Sequence, residues 1–296
     1  MEQSRTASLL RDLASMLVVL VFIFPIFWWG LSSIKPYSAI FNKDGPVYFD
    51  FEPTTHNYRV TLLGESRVSS AIESGGTYGA GGASSYDSRQ TILDSVIVSV
   101  LSTFGTVVIA TLAAYGLSRL QMRGKQHFIF WILSQRFMPP IAIVIPIMFM
   151  FRDLSLLDTR LGLILAHMLI NLPLALLLLK SFFDDVPRDV DEAAMIDGAT
   201  RFQTFRRVVL PMVRGGVAAT AVLCFIFSWT EFLLSLYLTT SIRTLPVKIS
   251  TFVTSTGTEW GFITALGTSA ILPSFIFILL VQRHLVRGLT LGSLKE

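Results

Sequence analysis

The residues best suited to specific chemistry lie in a polar stretch from Pro187 to Pro211, which separates two long apolar segments. Pro187 suits the first turn of a helix, and Asp189, Asp191 and Glu192 place negative charge near the N-terminal end of the helix dipole. Gly198 is a residue that can leave a helix with a positive φ. This half of the stretch therefore predicts a short, capped helix.

Two surfaces of the same stretch are suited to contact with a partner. The first helix has one small, shallow face, formed by Val190, Ala193 and Ala194. The second half predicts another helix, with Phe202, Phe205 and Val209 on one side and Arg201, Arg206 and Arg207 largely on the other. Such a basic amphipathic surface fits either a groove of another protein or the lipid headgroups. The residue types alone leave both interpretations open.

The stretch resembles the EAA loop of ABC-importer permeases. The matching residues, at the family's spacing, are Glu192-Ala193-Ala194, Asp197-Gly198-Ala199 and Leu210-Pro211. The closing segment, 282–292, resembles the C-terminus of the second permease subunit of carbohydrate importers of the maltose type. The resemblance covers nearly the whole chain, and the clear departure is an unusually long connection between the first two apolar segments.

The resemblance implies an all-α, polytopic membrane protein with six transmembrane helices and the type I ABC-importer permease fold. Such a subunit is not an enzyme, and it forms half of the translocation pathway of an ATP-driven importer for a sugar, oligosaccharide or polyol. The implied partners are a second permease subunit in a heterodimer, two ATP-binding cassette ATPase subunits and an extracytoplasmic solute-binding protein. The implied location is the cytoplasmic or inner membrane of a bacterium or archaeon.

The resemblance also assigns residues that couple the chain to the ATPase. In that family the loop enters a cleft of the ATPase, Glu192 anchors it there, and Gly198 permits the turn between the two short helices. The implied coupling residues are Glu192, Ala193, Ala194, Asp197, Gly198, Ala199 and Pro211.

The sequence lacks the common motifs of nucleotide, metal and hydrolase sites. It contains no G-x-x-x-x-G-K-[ST], no zinc-spaced His/Cys cluster and no G-x-S-x-G, and its single cysteine, Cys224, lies in an apolar run. We therefore expect no catalytic residue, no metal and no cofactor bound by this chain. Any ATP must be hydrolysed by a partner subunit.

Composition and hydropathy predict how the chain is divided. Of its 296 residues, 52% are hydrophobic and 15% are charged, which is typical of a polytopic membrane protein rather than a soluble or nucleic-acid-binding one. The predicted regions are an N-terminus 1–12, a first span 13–34, an extracytoplasmic loop 35–91, a permease core 92–285 and a tail 286–296. The spans of the core are predicted at about 92–117, 128–151, 161–182, 213–238 and 262–285.

Basic residues predict the orientation. Arg119, Arg123 and Lys125 form a compact basic turn on the same side as both termini and the stretch 187–211. Because lysine and arginine in short loops face the cytoplasm, we expect both termini and the EAA-like loop to be cytoplasmic. The long first loop has a glycine- and serine-rich centre, 74–85, which is either a tolerated insertion or a contact for the binding protein.

Polar residues inside the predicted spans are candidates for the substrate pathway, because such groups are expensive in lipid unless they face protein or water. These are Gln135, Arg136, Asn171, Trp229 and Glu231. Each could instead be satisfied by a neighbouring helix, as we expect for His167. Pro139-Pro140 and Pro173 either kink their helices or expose backbone carbonyls to the pathway, and simple kinks are the favoured interpretation.

Two other functions remain compatible with six spans. A secondary transporter of a small polar solute would need ionisable residues on several spans and commonly an internal repeat, neither of which is clear here. A membrane-embedded receptor or assembly factor would not need the EAA-like loop. Co-purification of an ATPase that depends on this loop would separate the three functions.

Overall fold

The computed structural model describes residues 5–42, 45, 47–65, 86–254 and 257–292, and for 5–10 and 282–292 it describes the backbone alone. The glycine- and serine-rich centre of the long loop, 74–85, lies outside the described residues. The chain forms two compact units. One comprises residues 1–90 and 248–271, and the other comprises residues 91–247 and 272–296.

The first unit contains the N-terminal helix, the described parts of the long loop and a small hairpin. Its complete elements are α1 (Arg5–Ser33), α2 (Tyr37–Ile40), α3 (His56–Tyr58), a π-helical turn (Arg59–Leu63), β1 (Val253–Thr254) and β2 (Gly257–Thr258). The two strands are antiparallel, with Val253 opposite Thr258. The first part of the long loop is anchored to the end of α1, because the Asn57 side chain donates to the carbonyls of Ser33 (2.9 Å) and Lys35 (3.0 Å).

The second unit contains most of the helices. They are α4 (Arg89–Arg119), α5 (Lys125–Ser134), a 3-10 turn (Gln135–Phe137), α6 (Pro140–Asp153), α7 (Arg160–Asp184), α8 (Arg188–Ile196), α9 (Arg201–Thr204), a π-helical turn (Phe205–Val209), α10 (Leu210–Met212), α11 (Arg214–Trp229) and α12 (Leu233–Leu238). α4 begins two residues before this unit, at Arg89. α13 (Leu245–Ser250) and α14 (Trp260–Gly292) belong partly to each unit.

Length and apolar composition are sufficient for a membrane crossing in four helical segments of the described chain: 11–33, 89–119, 160–184 and 260–281. Two bent helix pairs, 125–137 with 140–153 and 201–212 with 214–229, raise the number to six if each pair is one span. The fold is therefore all-α with up to six spans. The predicted spans 13–34, 92–117, 161–182 and 262–285 each coincide with one of the straight helices.

The predicted third span is broken rather than merely kinked, which corrects the favoured interpretation of Pro139-Pro140. α5 and α6 meet at 100°. A proline disfavours the α conformation in the residue before it, and accordingly Met138 (ψ 129°) and Pro139 (ψ 130°) are extended. Pro140 then starts α6, where its missing N–H costs nothing. By contrast, Pro146 and Pro173 lie inside continuous helices.

The predicted fifth span, 213–238, is also interrupted. α11 ends at Trp229, and α12 begins only at Leu233. In the second unit a hydrophobic core lies where α4, α7 and the polar stretch 187–211 meet. Its buried residues include Ala110, Ala114, Leu117, Leu176, Leu179, Phe183, Phe205, Val209 and Val213.

Candidate functional site

The polar stretch folds as the sequence predicts at both ends of its first helix. Pro187 is the residue before α8, and Asp189 and Asp191 lie in the first turn of that helix. Gly198 has a φ of +87°, a conformation in which a side chain is strained. The predicted short helix and its glycine exit are confirmed.

A second helix follows this turn at once. The Thr200 hydroxyl accepts from the backbone N–H of Gln203 (3.3 Å), and the Gln203 side chain accepts from the backbone N–H of Thr200 (2.8 Å). This reciprocal capping box satisfies two N–H groups that a helix start would otherwise leave unpaired. The two helices are therefore held at a defined turn.

The outer surface of α8 is bare in this chain. Glu192 and Ala193 are exposed, and Ile196 is 86% exposed although it is a large apolar residue. Ala193 is therefore separated from Val190, which is half-buried against the core, so the small face predicted for these two residues is divided. Of the remaining predicted coupling residues, Asp197, Gly198 and Pro211 are exposed, and Ala194 and Ala199 are half-buried.

The three apolar residues that were predicted on one side of the second helix differ in burial. Phe205 and Val209 are buried in the core, whereas Phe202 is 63% exposed. The backbone changes from α9 to a π-helical turn at Phe205, which alters the angular spacing between these residues. Phe202 remains exposed although its ring lies 6.2 Å from that of Phe205, measured between centroids.

The inner surface of α8 is attached to α4 through a buried charge pair. Nε of Arg119 lies 2.9 Å from Oδ2 of Asp191, and each side chain is only 9% exposed. The Tyr115 hydroxyl donates to the other oxygen, Oδ1, at 2.9 Å. Asp191 is thus contacted by two residues one turn apart at the C-terminal end of α4.

Further hydrogen bonds close the same junction. Nη2 of Arg119 donates to the carbonyl of Val186 (2.9 Å), and Nη2 of Arg188 donates to the carbonyl of Ser118 (3.2 Å). The Ser118 hydroxyl donates to Asp184 at the end of α7 (2.7 Å). The ends of α4 and α7 and the start of α8 are therefore joined by polar contacts on both sides of Pro187.

An aromatic cluster lies beside this junction. The ring of Tyr115 is 5.6 Å from that of Phe183 and 4.8 Å from that of Phe205, measured between centroids. Aromatic pairs at such distances stabilise a core beyond the area that they bury. The two short helices of the polar stretch are thus anchored to α4 and α7 by packing as well as by charge.

Asp191 is the functional candidate that sequence reasoning missed. The sequence assigned its charge to the helix dipole, together with Asp189 and Glu192, because all three acids lie near the helix start. The available signal was the four-residue spacing of Tyr115 and Arg119, which places a phenol and a guanidinium on the same helix face. Only the fold shows that this face meets α8.

The second group of predicted residues lies in a polar cluster between α7, α11 and α4. The Ser228 hydroxyl is central: it lies 3.2 Å from Nδ1 of His167 and 2.9 Å from the Ser102 hydroxyl. Asn171 also donates to the Ser228 hydroxyl (3.2 Å) and to the carbonyl of Cys224 (3.5 Å). Asn171 is buried among helices, which corresponds to the interhelical role that the sequence left open.

Glu231 lies in the break between α11 and α12. Its carboxylate accepts from the backbone N–H groups of Leu234 (2.8 Å) and Ser235 (3.3 Å), which start α12. The same carboxylate lies 3.4 Å from Nε2 of His167. The Glu231 carboxylate therefore caps the start of α12, because it accepts hydrogen bonds from N–H groups that a helix start would otherwise leave unpaired.

Trp229, Gln135 and Arg136 have different surroundings. Trp229 is buried and stacks on Phe225 of the preceding turn, with centroids 5.6 Å apart. Gln135 and Arg136 form the 3-10 turn at the broken third span, and Arg136 is exposed with its guanidinium 5.8 Å from the ring of Phe227. Arg136 is thus the predicted pathway residue most open to a solute or to another subunit.

Metal binding finds no support in the part of the chain that the structure describes. Within it, no three or more His, Cys, Asp or Glu residues are grouped so that they could hold an ion. Cys224 is a free, buried thiol.

Comparisons with known proteins identify a family and several relatives of this chain. Residues 107–291 match the family described as "Binding-protein-dependent transport system inner membrane component". A probable ABC transporter permease protein of Sinorhizobium fredii, y4oR, is 32% identical over 98% of this chain and 96% of its own length. The trehalose transport system permease protein SugB of Mycobacterium tuberculosis is 35% identical over 94% of both chains.

A further relative and a solved structure are also similar to this chain. The sulfoquinovosyl glycerol transport system permease protein SmoH of Agrobacterium fabrum is 32% identical over 97% of this chain and 93% of its own. A chain in the crystal structure of a bacterial ABC transporter that imports the acidic polysaccharide alginate has the same fold, with a TM-score of 0.71, 20% identity and coverage of 96% of this chain and 99% of that one. On the family match and these near-full-length identities, the chain belongs to the inner-membrane permease components of binding-protein-dependent ABC transport systems.

Proposed function

We propose that this permease is one half of the translocation pathway of a carbohydrate importer. In the proposed assembly it pairs with a different permease subunit, and two ATPase subunits bind on the cytoplasmic side. ATP is bound and hydrolysed by those subunits, and an extracytoplasmic binding protein delivers the solute. Both termini and the polar stretch 187–211 are cytoplasmic, which rests on the distribution of basic residues.

The substrate class rests on the relatives. SugB is named for trehalose, SmoH for sulfoquinovosyl glycerol, DasC of Streptomyces coelicolor for diacetylchitobiose, and MalG of Thermococcus litoralis for trehalose and maltose. All of these solutes contain a sugar ring. We therefore assign this chain to the import of a sugar, oligosaccharide or polyol.

The observation that carries the coupling proposal is the contrast between the two surfaces of α8. One surface is anchored to α4 through Asp191, and the other presents Glu192, Ala193 and Ile196 to the surroundings. An exposed isoleucine and an exposed carboxylate, one helical turn apart, supply an apolar and an ionic contact for a partner protein. We assign this surface to the ATPase, with Glu192 as its ionic contact.

Gly198 has a separate role in the proposal. A Cβ at this position would meet no atom within 4 Å in this chain, so the demand for glycine comes from the backbone alone. A β-branched residue at its φ of +87° would be strained, whereas asparagine tolerates the left-handed region far better. We propose that Gly198 sets the angle at which the two short helices enter the ATPase.

The experiment is co-purification of the ATPase with the permease pair from detergent-solubilised membranes. Glu192→Ala and Gly198→Val are expected to reduce the amount of bound ATPase, and Gly198→Asn is the matched control that preserves the turn. An exposed ion pair is worth only about 0–1 kcal/mol, so a complete loss with Glu192→Ala would indicate a contact buried in the complex. Normal binding and normal ATP hydrolysis in both test variants would reject the coupling role of this loop.

For the pathway we propose that Arg136 and Glu231 contribute to the passage of solute, and that Gln135, Trp229 and Asn171 shape its wall. This is supported by the two broken spans, since interrupted helices are tolerated in membranes where they line a cavity or lie against protein. Arg136→Gln and Glu231→Gln are expected to reduce uptake of radiolabelled trehalose or maltose, whichever wild-type cells accumulate, while the complex still assembles. Unchanged uptake in both variants would remove these residues from the pathway.

A further inference from the structure

The charge pair between Arg119 and Asp191 requires two charged groups to lose most of their hydration, which costs free energy. A junction that had only to be stable could use apolar residues instead. Both side chains are largely withdrawn from solvent, and each contributes an ionised group. Buried ion pairs contribute little net stability, because the attraction is offset by the loss of hydration, and apolar residues of similar size are often at least as stabilising. Here the Tyr115 hydroxyl and the Arg119 guanidinium approach different oxygens of Asp191, so that the carboxylate is held between two side chains of α4.

Arg119 also contacts the chain on both sides of Pro187. Its Nη2 donates to the carbonyl of Val186, before the proline, and its Nε faces Asp191, after it. A single guanidinium therefore fixes the orientation of α8 relative to the chain that enters it. Movement of α8 without movement of α4 would have to break the contacts that Arg119 and Tyr115 make with Asp191.

α4 is attached in a similar way near its other end. Nε of Arg160 donates to the buried Asp94 at 2.7 Å, and the Ser95 hydroxyl accepts from the backbone N–H of Leu245, also at 2.7 Å. Asp94 and Arg119 lie about 38 Å apart along the helix at ~1.5 Å per residue. α4 is therefore a continuous rod with a carboxylate–arginine pair near each end.

We propose that Arg119 and Asp191 are positioning residues that pass displacement of α8 to α4, so that the second span, which is distant from α8 in the chain, follows the movement of the ATPase. This inference rests on the proposed function, because the displacement is supplied by ATP binding and hydrolysis in the partner. Tyr115 orients the Asp191 carboxylate through its own hydrogen bond. In this proposal the ATPase displaces α8 at its exposed surface, and the pair of Arg119 and Asp191 transmits that displacement to α4.

The test follows the end of α4 directly and needs no transported solute. In a Cys224→Ser background, Leu120→Cys places a thiol just beyond α4, at a position where the native side chain is 46% exposed. The complete transporter in inside-out vesicles is labelled with a membrane-impermeant maleimide, with and without Mg·ATP and vanadate. The link predicts that nucleotide changes the labelling rate of this thiol in the wild type and that Asp191→Asn loses most of this change.

Three comparisons make the result decisive. Asp189→Asn removes an exposed acid from the same helical turn and is expected to keep the full nucleotide response. Arg119→Lys keeps the charge and is expected to restore part of the response that Arg119→Gln loses. The apolar double variant Arg119→Met with Asp191→Leu is expected to assemble normally, because apolar packing can replace the stability of the pair. It is nevertheless expected to show no nucleotide response, because it lacks the charge contact that we propose for transmission.

The outcomes separate the inference from the proposed function. If the apolar double variant or Asp191→Asn responds to nucleotide as the wild type does, the pair is merely structural and the inference is overturned. If no ATPase co-purifies with the wild-type chain, or the wild type shows no nucleotide response, the proposed coupling itself is wrong. If Asp191→Asn fails to assemble, the apolar double variant is compared with the wild type instead, because it leaves no unpaired charge in the junction.

Discussion

Nε2 of His167 lies 3.4 Å from Oε2 of Glu231, and this contact joins the fourth span to the break in the fifth. The same carboxylate accepts the first N–H groups of α12. Glu231 therefore has two structural duties in addition to any contact with solute. The contact with His167 and the cap of α12 can be tested separately, because glutamine preserves an acceptor oxygen for the cap but lacks the negative charge.

We expect Glu231→Gln to lower the thermal stability of the purified permease complex less than Glu231→Ala does. Glutamine can still accept from Leu234, whereas alanine leaves the start of α12 uncapped, at a cost of about 1 kcal/mol. The measurement is thermal unfolding in detergent, with His167→Gln as the control that removes only the imidazole. Equal losses for glutamine and alanine would show that the charge, not the cap, stabilises this break.

The hydrogen bonds of Asp158 are expected to make the stability of the folded chain depend on pH under acidic conditions. It lies between α6 and α7 with a φ of +55°, and it accepts from the backbone N–H groups of Thr240, Ser241 and Ile242 and from two hydroxyls. The Ser241 hydroxyl, followed by those N–H groups, holds the pKa of this carboxyl well below its usual range. Its contribution is therefore complete above the unfolded pKa and is lost as the pH falls below it.

The measurement is the difference in thermal stability between the wild type and Asp158→Ala as a function of pH. The difference is expected to be constant above about pH 4, the usual range of an aspartate, and to shrink below it. Asp153→Ala removes an exposed carboxylate from the preceding helix and serves as the control. A difference that stays constant down to pH 3 would mean that the Asp158 hydrogen bonds do not depend on its charge.

Close packing of α7 and α11 predicts a steric effect at Gly216. A Cβ there would lie 2.2 Å from Cγ of Phe182, so the ring or a helix must move to accept alanine. Gly216→Ala is expected to destabilise the complex by about 1–3 kcal/mol, the usual effect of overpacking a core. Gly116→Ala is the matched control, because its new methyl would lie at an ordinary 3.9 Å from Leu120. Equal melting temperatures for the two variants would contradict the prediction.

The exposed apolar residue Ile196 of the polar stretch 187–211 predicts a binding defect without a folding defect. Ile196 is 86% exposed, so Ile196→Ser is expected to leave the stability of the permease pair unchanged. The same variant should weaken ATPase binding about tenfold, within the range found for buried interface residues. Ile196→Leu keeps the apolar contact and is the control. Undiminished ATPase co-purification with Ile196→Ser would show that the contact surface does not include this residue.

Much of the fold was predictable because it depends on local properties. The first, second, fourth and sixth spans follow from uninterrupted apolar runs, and the lipid environment requires such runs to be helical. The exit at Gly198 was predictable for a related reason: only its own φ is involved, and glycine is the residue that adopts it readily. The family of the protein was recognisable from the same short stretch, 187–211.

Other features depend on which surfaces meet, and no local pattern contains that information. The break at Pro139-Pro140 depends on whether neighbouring groups satisfy the freed backbone, so residue types allowed a kink as well as a break. The sequence left Asn171 compatible with the pathway or with helix contacts, and only the fold shows that its amide donates to the Ser228 hydroxyl of another helix at 3.2 Å.

The acidic residues of α8 show most directly what the sequence could not predict, since one of them is buried and its neighbour is exposed. The sequence by itself determined that a short acidic helix stands between two apolar segments, because charge near a helix start is stabilised by the local dipole. Only the tertiary structure decided that Asp191 turns inward to Arg119 while Glu192 stays exposed. Adjacent residues on a helix point about 100° apart, and which of them is buried depends on the position of α4, a helix that ends some seventy residues earlier in the chain.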